Sequence, residues 1–201
     1  MNQINKYKKD VDGVTGKNTP NVTQYGLVHL DGTQATTYAR IRKLSGDDFK
    51  RASRQRIVLQ AMLEKAKKAN PATLVKICNS VVDDISTTLS LDQMVSLAKD
   101  VTKYKISSTT GFPTDLTTKN MPRCGDTVIP ADLVTNVKKL HEYMFDDATY
   151  TPSQTVQAIS DTIVNTTGIT ADSAKINTSD YNETVGATGT DEIQKGSETT
   201  G

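Results

Sequence analysis

Apolar residues recur at intervals of three and four along much of the chain, which predicts several amphipathic helices. The longest such stretch covers about residues 49–69, and Asp47 or Asp48 is its expected N-cap. Asn70 and Pro71 are residue types of a cap and a first helical turn, so a second helix of about sixteen residues should follow them.

Further helix starts are marked by polar residues that precede apolar ones. Ser90 and Gln93 have the spacing of a capping box, which predicts a third helix. Asp132 is expected to begin another helix, and residues 151–167 predict a weak one. Helices therefore dominate the expected fold.

Extended structure is predicted at fewer places. After a turn and short helix near residues 30–35, residues 38–42 alternate as in a strand, which would place Arg40 and Arg42 on one face. Residues 104–110 and 127–129 also have β-type composition. Together with the helices, these segments predict a helix-rich α/β fold.

The two ends of the chain are polar. Residues 1–26 predict irregular structure that includes at most a short opening helix. Residues 168–201 are rich in Gly, Ser and Thr and contain few large apolar residues, so we expect a disordered tail. The predicted organisation is a domain over residues 1–150, a weak helix over 151–167 and a tail over 168–201.

Charge changes sign along the chain. Residues 1–70 contain fourteen Lys and Arg against six acidic residues, whereas residues 146–201 contain two Lys against nine. A basic front suggests an anionic partner. No apolar run is long enough to cross a bilayer or to act as a signal peptide, so the chain as given predicts no anchor.

Arginine is clustered far more than lysine, because five of the six arginines fall within residues 40–56. A guanidinium group offers a rigid fork of donors that matches phosphate or carboxylate. Two interpretations of this surface stay open. It is either a solvated basic helix face with Asp47 and Asp48 as counter-ions, or a pocket for a di-anion such as pyrophosphate with Gln55 beside it.

Other site chemistries lack support. His29 and His141 have no Cys or His at metal-ligand spacing, and no Gly-x-Ser-x-Gly, Walker or Gly-x-Gly-x-x-Gly motif occurs. These absences leave a metal site, a hydrolase triad and a nucleotide-binding fold without support. The two cysteines, Cys78 and Cys124, are either a disulfide pair or two free thiols.

Several stretches together resemble the signature of the LytR-CpsA-Psr family. They are residues 30–35, Tyr38-Ala39-Arg40-Ile41-Arg42, Asp47-Asp48-Phe49-Lys50-Arg51-Ala52-Ser53-Arg54-Gln55-Arg56, Val128-Ile129-Pro130 and residues 135–141. The resemblance covers about residues 1–145. It implies the C-terminal half of an α-β-α domain with a mixed sheet, followed by the tail.

The resemblance also implies a function. Members of this family are extracytoplasmic phosphotransferases at the bacterial cell membrane that move a glycopolymer phosphate from a polyprenyl-pyrophosphate carrier to peptidoglycan. Matched positions imply that Arg40, Arg42, Arg51 and Gln55 hold the pyrophosphate, and Arg54, at an adjacent position of the same motif, is expected among these pyrophosphate-binding residues. Asp48 matches an acidic residue that orients Arg51 or assists the incoming hydroxyl.

The same resemblance implies a magnesium ion whose aspartate ligands lie on strands that would precede residue 1, together with a further arginine and a membrane helix. No metal ligand is expected within this chain, and the chain by itself is expected to show no magnesium-dependent transfer. The alternative function is a non-catalytic module that binds nucleic acid or an acidic wall polymer. Nucleic acid is not the expected partner, because the arginines lack interleaved aromatic residues and apolar residues follow Gln55 closely.

Overall fold

The computed structural model describes residues 2–42, 47–81 and 84–181, which fall into two compact units. The first ends at Ser107 and is helical. Its helices are α1 (Asn2–Thr15), α2 (Gly32–Arg40), α3 (Asp47–Lys67), α4 (Pro71–Val81) and α5 (Leu91–Lys99), with a 3-10 turn at Val101–Lys103. α1 packs on α2, and α2 packs on α3.

The second unit begins at Ser108 and combines a small sheet with two helices. Its elements are β1 (Asp115–Met121), β2 (Gly125–Pro130), α6 (Leu133–Phe145), α7 (Gln154–Thr167) and β3 (Ile176–Asn177), with 3-10 turns at Ala171–Ser173 and Thr178–Tyr181. The strands are antiparallel in the order β2-β1-β3. The predicted helix-rich α/β class is confirmed.

Side-chain caps define most of the predicted helix starts. Ser90 and Gln93 form the capping box of α5, and the Asn70 side chain accepts the Thr73 N–H at the start of α4. Asp132 caps α6 by accepting the Thr135 N–H at 3.0 Å. These helices begin where local polar residues satisfy N–H groups that have no intrahelical partner.

Several expected elements differ from the structure. Residues 38–40 are helical, not extended, because a capping box at Asp31 and Gln34 begins a helix that continues to Arg40. Residues 104–110 form no strand, and α1 occupies a segment that was expected to be mostly irregular. α4 is shorter than the predicted helix, and β1 lacks the apolar alternation that would have predicted it.

The expectation of disorder from Gly168 onward is wrong for residues 168–181. Ile176 pairs with Leu116 of β1, and the buried Thr178 donates its hydroxyl to the Gly111 carbonyl at 3.0 Å. Gly111 permits this close approach, since an added Cβ would lie 2.9 Å from the Thr178 Cβ. Backbone pairing and one buried threonine order the segment without large apolar side chains, whereas residues 182–201 lie outside the described part.

Few apolar side chains are fully buried in the described residues. Ile4 and Ile41 are buried in the first unit, and Leu116, Ile129 and Ala131 in the second. The apolar stripes of α3, α4 and α5 were expected to form a core or to wall a lipid slot. Among the side chains that the structure describes, their large apolar side chains are instead part-exposed or exposed, and the contacts of α4 are chiefly with α5.

Asn136 connects the sheet of the second unit to α6. Its side chain is fully buried, accepts the Asp115 N–H at 2.9 Å and donates to the Asp115 carbonyl at 2.9 Å. It also donates to the carbonyls of Ala131 and Asp132. One amide therefore pairs the first residue of β1 with the turn that begins α6.

Replacing Asn136 by Ala should destabilise the second unit by about 2 kcal/mol or more, because it removes the side-chain acceptor of the buried Asp115 N–H and the amide donor that three carbonyls share. Hydrogen exchange of the β1 amides measures the effect. Asn165→Ala, at an exposed position of α7, is the control and should leave exchange nearly unchanged. Equal protection of β1 in both variants would contradict the role of Asn136.

The Asp132 carboxylate makes a pH-dependent contribution to the stability of the folded protein. Burial would raise the pKa of Asp132, but hydrogen bonds from the Thr135 and Ser160 hydroxyls and from backbone N–H groups outweigh burial and lower it below 3.8. A lowered pKa in the folded state stabilises the protein above the unfolded value, and this stabilisation is lost as pH falls through the folded value.

Asp132→Asn should therefore flatten the loss of stability between about pH 5 and about pH 2, since the amide still caps α6 but does not titrate. Melting temperatures recorded across this range test it. Asp161→Asn, at an exposed position, is the control and should follow the parent. If all three proteins lose stability in parallel, Asp132 is not the titrating group.

Candidate oxyanion-binding site

An open pocket of about 610 Å³ lies in the first unit and collects most of the predicted site residues. Three elements supply its lining: α1, the end of α2 with the residues that follow it, and α3. The lining residues are Tyr7, Asp10, Val11, Arg40, Arg42, Arg51 and Gln55. The structure thus brings Arg40, Arg42, Arg51 and Gln55 together.

The end of α2 and the residues that follow it contain Arg40 and Arg42, which both line the pocket. Ile41 follows the helix with φ −56° and ψ 128°, so the chain leaves the helix in an extended conformation. Its side chain is buried at 5% exposure, whereas both neighbouring arginines are exposed. Burial of the apolar residue between them explains how Arg40 and Arg42 reach one site although residues 38–40 are not a strand.

Arg51 and Gln55 lie four residues apart on α3, a spacing that places both on one face of the helix. The side chains of Arg40 and Gln55 have no hydrogen-bond or ion-pair partner within the described part of the chain. Their donors are available to a ligand.

Asp48 holds two of the arginines side by side. Its carboxylate accepts Arg42 Nε at 3.0 Å and Arg42 Nη2 at 3.2 Å, and Arg51 Nη1 lies 3.6 Å from its Oδ1. Bidentate contact fixes the plane of a guanidinium group. Asp48 therefore orients Arg42 and lies within ion-pair distance of Arg51, whereas assistance to a substrate hydroxyl remains an expectation from the resemblance.

Arg54 is not a lining residue, unlike its expected place among the pyrophosphate ligands. The side chain is buried at 8% exposure, and Nη1 donates to the Ile41 carbonyl at 2.9 Å. This hydrogen bond joins α3 to the backbone between Arg40 and Arg42. In the described structure Arg54 therefore contacts the backbone behind the lining residues and does not line the pocket itself.

α1 contributes a wall that the sequence did not indicate. Tyr7, Asp10 and Val11 are three and four residues apart, so they share a face of the helix. The spacing was visible in the sequence, but nothing local indicated that this face would meet the arginines. Its position depends on tertiary contacts between α1, the following loop and α2.

Those contacts fix α1 firmly. The Asn5 amide donates to the Val22 carbonyl at 2.9 Å and accepts the Val22 N–H at 2.8 Å. Lys8 donates to the Thr19 carbonyl, and Asp12 accepts the Thr19 N–H at 3.2 Å. Hydrogen bonds from Thr19, together with the charge of Lys8, lower the pKa of the Asp12 carboxyl.

The described ranges contain no group of three His, Cys, Asp or Glu residues that could hold a metal ion. None of the described helices has the length and apolar content to span a bilayer. His141 stacks on Tyr150 with ring centroids 3.3 Å apart, and Cys78 and Cys124 are free thiols.

Comparison with known proteins agrees with the resemblance. The LytR_cpsA_psr family profile matches residues 3–141, so the chain belongs to this family. No solved structure matches the chain.

Curated relatives cover part of the chain. A polyisoprenyl-teichoic acid–peptidoglycan teichoic acid transferase TagU of Bacillus mycoides is 31% identical over 105 residues, 47% of this chain and 34% of the relative. Its counterpart in Enterococcus faecalis is 35% identical over 77 residues, 37% of this chain and 25% of the relative. The chain thus spans about a third or less of the length of these relatives.

The position of Arg54 generates a test of its role. Arg54→Ala should free the backbone between Arg40 and Arg42 and weaken binding of inorganic pyrophosphate about tenfold, whereas Arg54→Lys should retain much of it by donating to the same carbonyl. Amide exchange of residues 40–42 in the ligand-free protein should rise in the Ala variant. Lys65→Ala, which removes a charge at an exposed position of α3, is the control.

A direct ligand role for Arg54 predicts a different result. Binding would then weaken while the amides of residues 40–42 kept their ligand-free exchange rates. Calorimetry and exchange measured on the same preparations distinguish the two roles.

Proposed function

We propose that this chain supplies the pyrophosphate-binding part of a transferase that moves a glycopolymer phosphate from a polyprenyl-pyrophosphate carrier to peptidoglycan. The supporting observation is the pocket that gathers Arg40, Arg42, Arg51 and Gln55. The names of the curated relatives point to the same substrates, a polyisoprenyl-linked teichoic acid and peptidoglycan. Such a reaction belongs to the outer face of the cell membrane, which is the proposed location.

Phosphoryl transfer needs charge neutralisation and positioning more than a covalent nucleophile. An acceptor hydroxyl attacks the phosphorus that carries the glycopolymer, a new P–O bond forms, and the P–O bond to the prenyl phosphate breaks. Prenyl phosphate leaves with the electron pair, and the hydroxyl proton passes to a base. Arg40, Arg42 and Arg51 would bind the phosphate oxygens and stabilise the charge that develops on the leaving group.

The concave arrangement favours a compact di-anion over an extended polymer. Three arginines and one amide lining one pocket present convergent donors, whereas nucleic acid or a wall polymer would contact a longer charged surface. The bidentate contact of Asp48 with Arg42 also orients that guanidinium group, a constraint that generic charge attraction would not need.

Arg51→Lys tests the proposal, because it keeps the positive charge and removes the bidentate fork. Binding of inorganic pyrophosphate and geranyl pyrophosphate should weaken about tenfold or more, measured by isothermal titration calorimetry. Arg123→Lys, in the turn between β1 and β2, is the matched control and should bind like the parent.

The same variants should be titrated with a teichoic acid fragment and with duplex DNA. If the parent binds these polymers more tightly than the pyrophosphates, and Arg51→Lys binds all ligands as the parent does, then the chain is an anion-binding module and the transferase proposal fails.

A further inference from the structure

The wall that α1 contributes to the pocket has unpartnered polar groups of its own. Within the described residues, neither the Tyr7 hydroxyl nor the Asp10 carboxylate has a hydrogen-bond or ion-pair partner. Asp10 is exposed, and Tyr7 is part-buried. By contrast, the carboxylate of Asp48 is occupied by Arg42 and Arg51.

Asp10 is the one lining residue whose charge opposes a bound phosphate. A carboxylate on the lining of an anion pocket weakens phosphate binding unless a donor group or a cation lies between the two. An ionised carboxylate only accepts hydrogen bonds, whereas a tyrosine hydroxyl both donates and accepts. A ligand hydroxyl group located next to the phosphates therefore fits this wall best.

A metal ion suits the wall less well. Magnesium prefers several oxygen ligands in octahedral geometry. The Asp48 carboxylate already pairs with Arg42 and Arg51, and the described residues contain no group of three candidate ligands. Tyr7 and Val11 add an aromatic ring and an apolar surface, which fit the body of a sugar better than a hydrated ion.

The opposite side of α1 explains why this wall can be rigid. At 100° per residue, Asn5, Lys8 and Asp12 lie on one side of the helix, and Tyr7, Asp10 and Val11 lie on another. The first set is bonded to the loop at residues 19–22, which also accepts a hydrogen bond from Gln34 of α2 at the Pro20 carbonyl. The wall is thereby held before any ligand binds.

We propose that Asp10, with Tyr7, binds a sugar hydroxyl next to the phosphates held by the arginines. This inference rests on the proposed function and adds a sugar subsite to it. The hydroxyl belongs either to the acceptor glycan or to the sugar of the glycopolymer that is attached to the pyrophosphate. Asp10 is assigned as a hydrogen-bond acceptor for that hydroxyl.

The test compares probes with and without a sugar in the full chain. Asp10→Ala should bind inorganic pyrophosphate as tightly as the parent or a few-fold more tightly, because a repulsive charge is removed. It should lose about tenfold affinity for a sugar-bearing probe, because the hydroxyl loses its acceptor. Tyr7→Phe should show a smaller loss of the same kind.

Two sugar-bearing probes separate the two sources of the hydroxyl. A geranyl-pyrophosphoryl N-acetylglucosamine reports on the donor sugar, and a soluble muramoyl glycan fragment added with saturating pyrophosphate reports on the acceptor. Loss in one arm identifies the source. Asp161→Ala, at an exposed position of α7, is the charge-matched control, and circular dichroism checks folding.

Each other outcome overturns the proposal. If Asp10→Ala changes sugar-bearing and bare probes by the same factor, no sugar subsite exists here. If it abolishes a magnesium-dependent increase in pyrophosphate binding, Asp10 serves a cation. If the parent binds no pyrophosphate, the proposed function fails as well. If the parent binds pyrophosphate but Asp10→Ala keeps the parent's preference for sugar-bearing probes, only the sugar subsite is ruled out.

Discussion

The pocket depends on one buried hydrogen bond, from the guanidinium of Arg54 to the carbonyl of Ile41. Arg40 and Arg42 are joined to Ile41 through the backbone, and Arg51 and Gln55 belong to the same helix as Arg54. This contact therefore links the two segments that supply the cationic part of the lining, in addition to the exposed pair of Arg42 with Asp48 and the packing of α2 on α3. Burying a charged donor is favourable only when it is hydrogen-bonded, so the carbonyl and the arginine constrain each other.

Polar contacts have this role because the first unit buries little apolar surface. Ile4 and Ile41 are its buried large apolar side chains among the described residues, while Leu59, Met62 and Ile77 are half-exposed or more. Hydrogen bonds from Asn5, Lys8 and Gln34 hold α1, the loop and α2 together. Such contacts are directional, so they fix the geometry of a site more sharply than apolar packing of the same extent.

Local signals predicted the helix starts but not the partners of long side chains. Ser90 and Asp132 cap helices through atoms three residues away, which is why the sequence located α5 and α6. β1 was missed because Leu116 is its one fully buried apolar residue. The cluster of Arg40, Arg42, Arg51 and Gln55 followed from the motif.

The hydrogen-bond partner of Arg54 could not be predicted from the sequence. Its partner is thirteen residues away, and whether it turns toward the pocket or the backbone is decided by how α2 packs on α3. The contribution of α1 to the lining was equally a matter of tertiary packing, since residues 1–26 are polar and have no strong helical pattern.

The short strand β3 affects how the edge of the sheet can pair with other chains. It pairs with Asp115 and Leu116, at the buried end of β1, and the rest of that edge carries Thr118, Lys119 and Asn120 with exposed side chains. An uncovered apolar strand edge is a template for pairing between chains, and lysine on an edge discourages it. β3 lies beyond residue 141, where the family match ends, so a segment outside the matched residues occupies the edge of β1 beside Leu116, where a strand of another chain could otherwise pair.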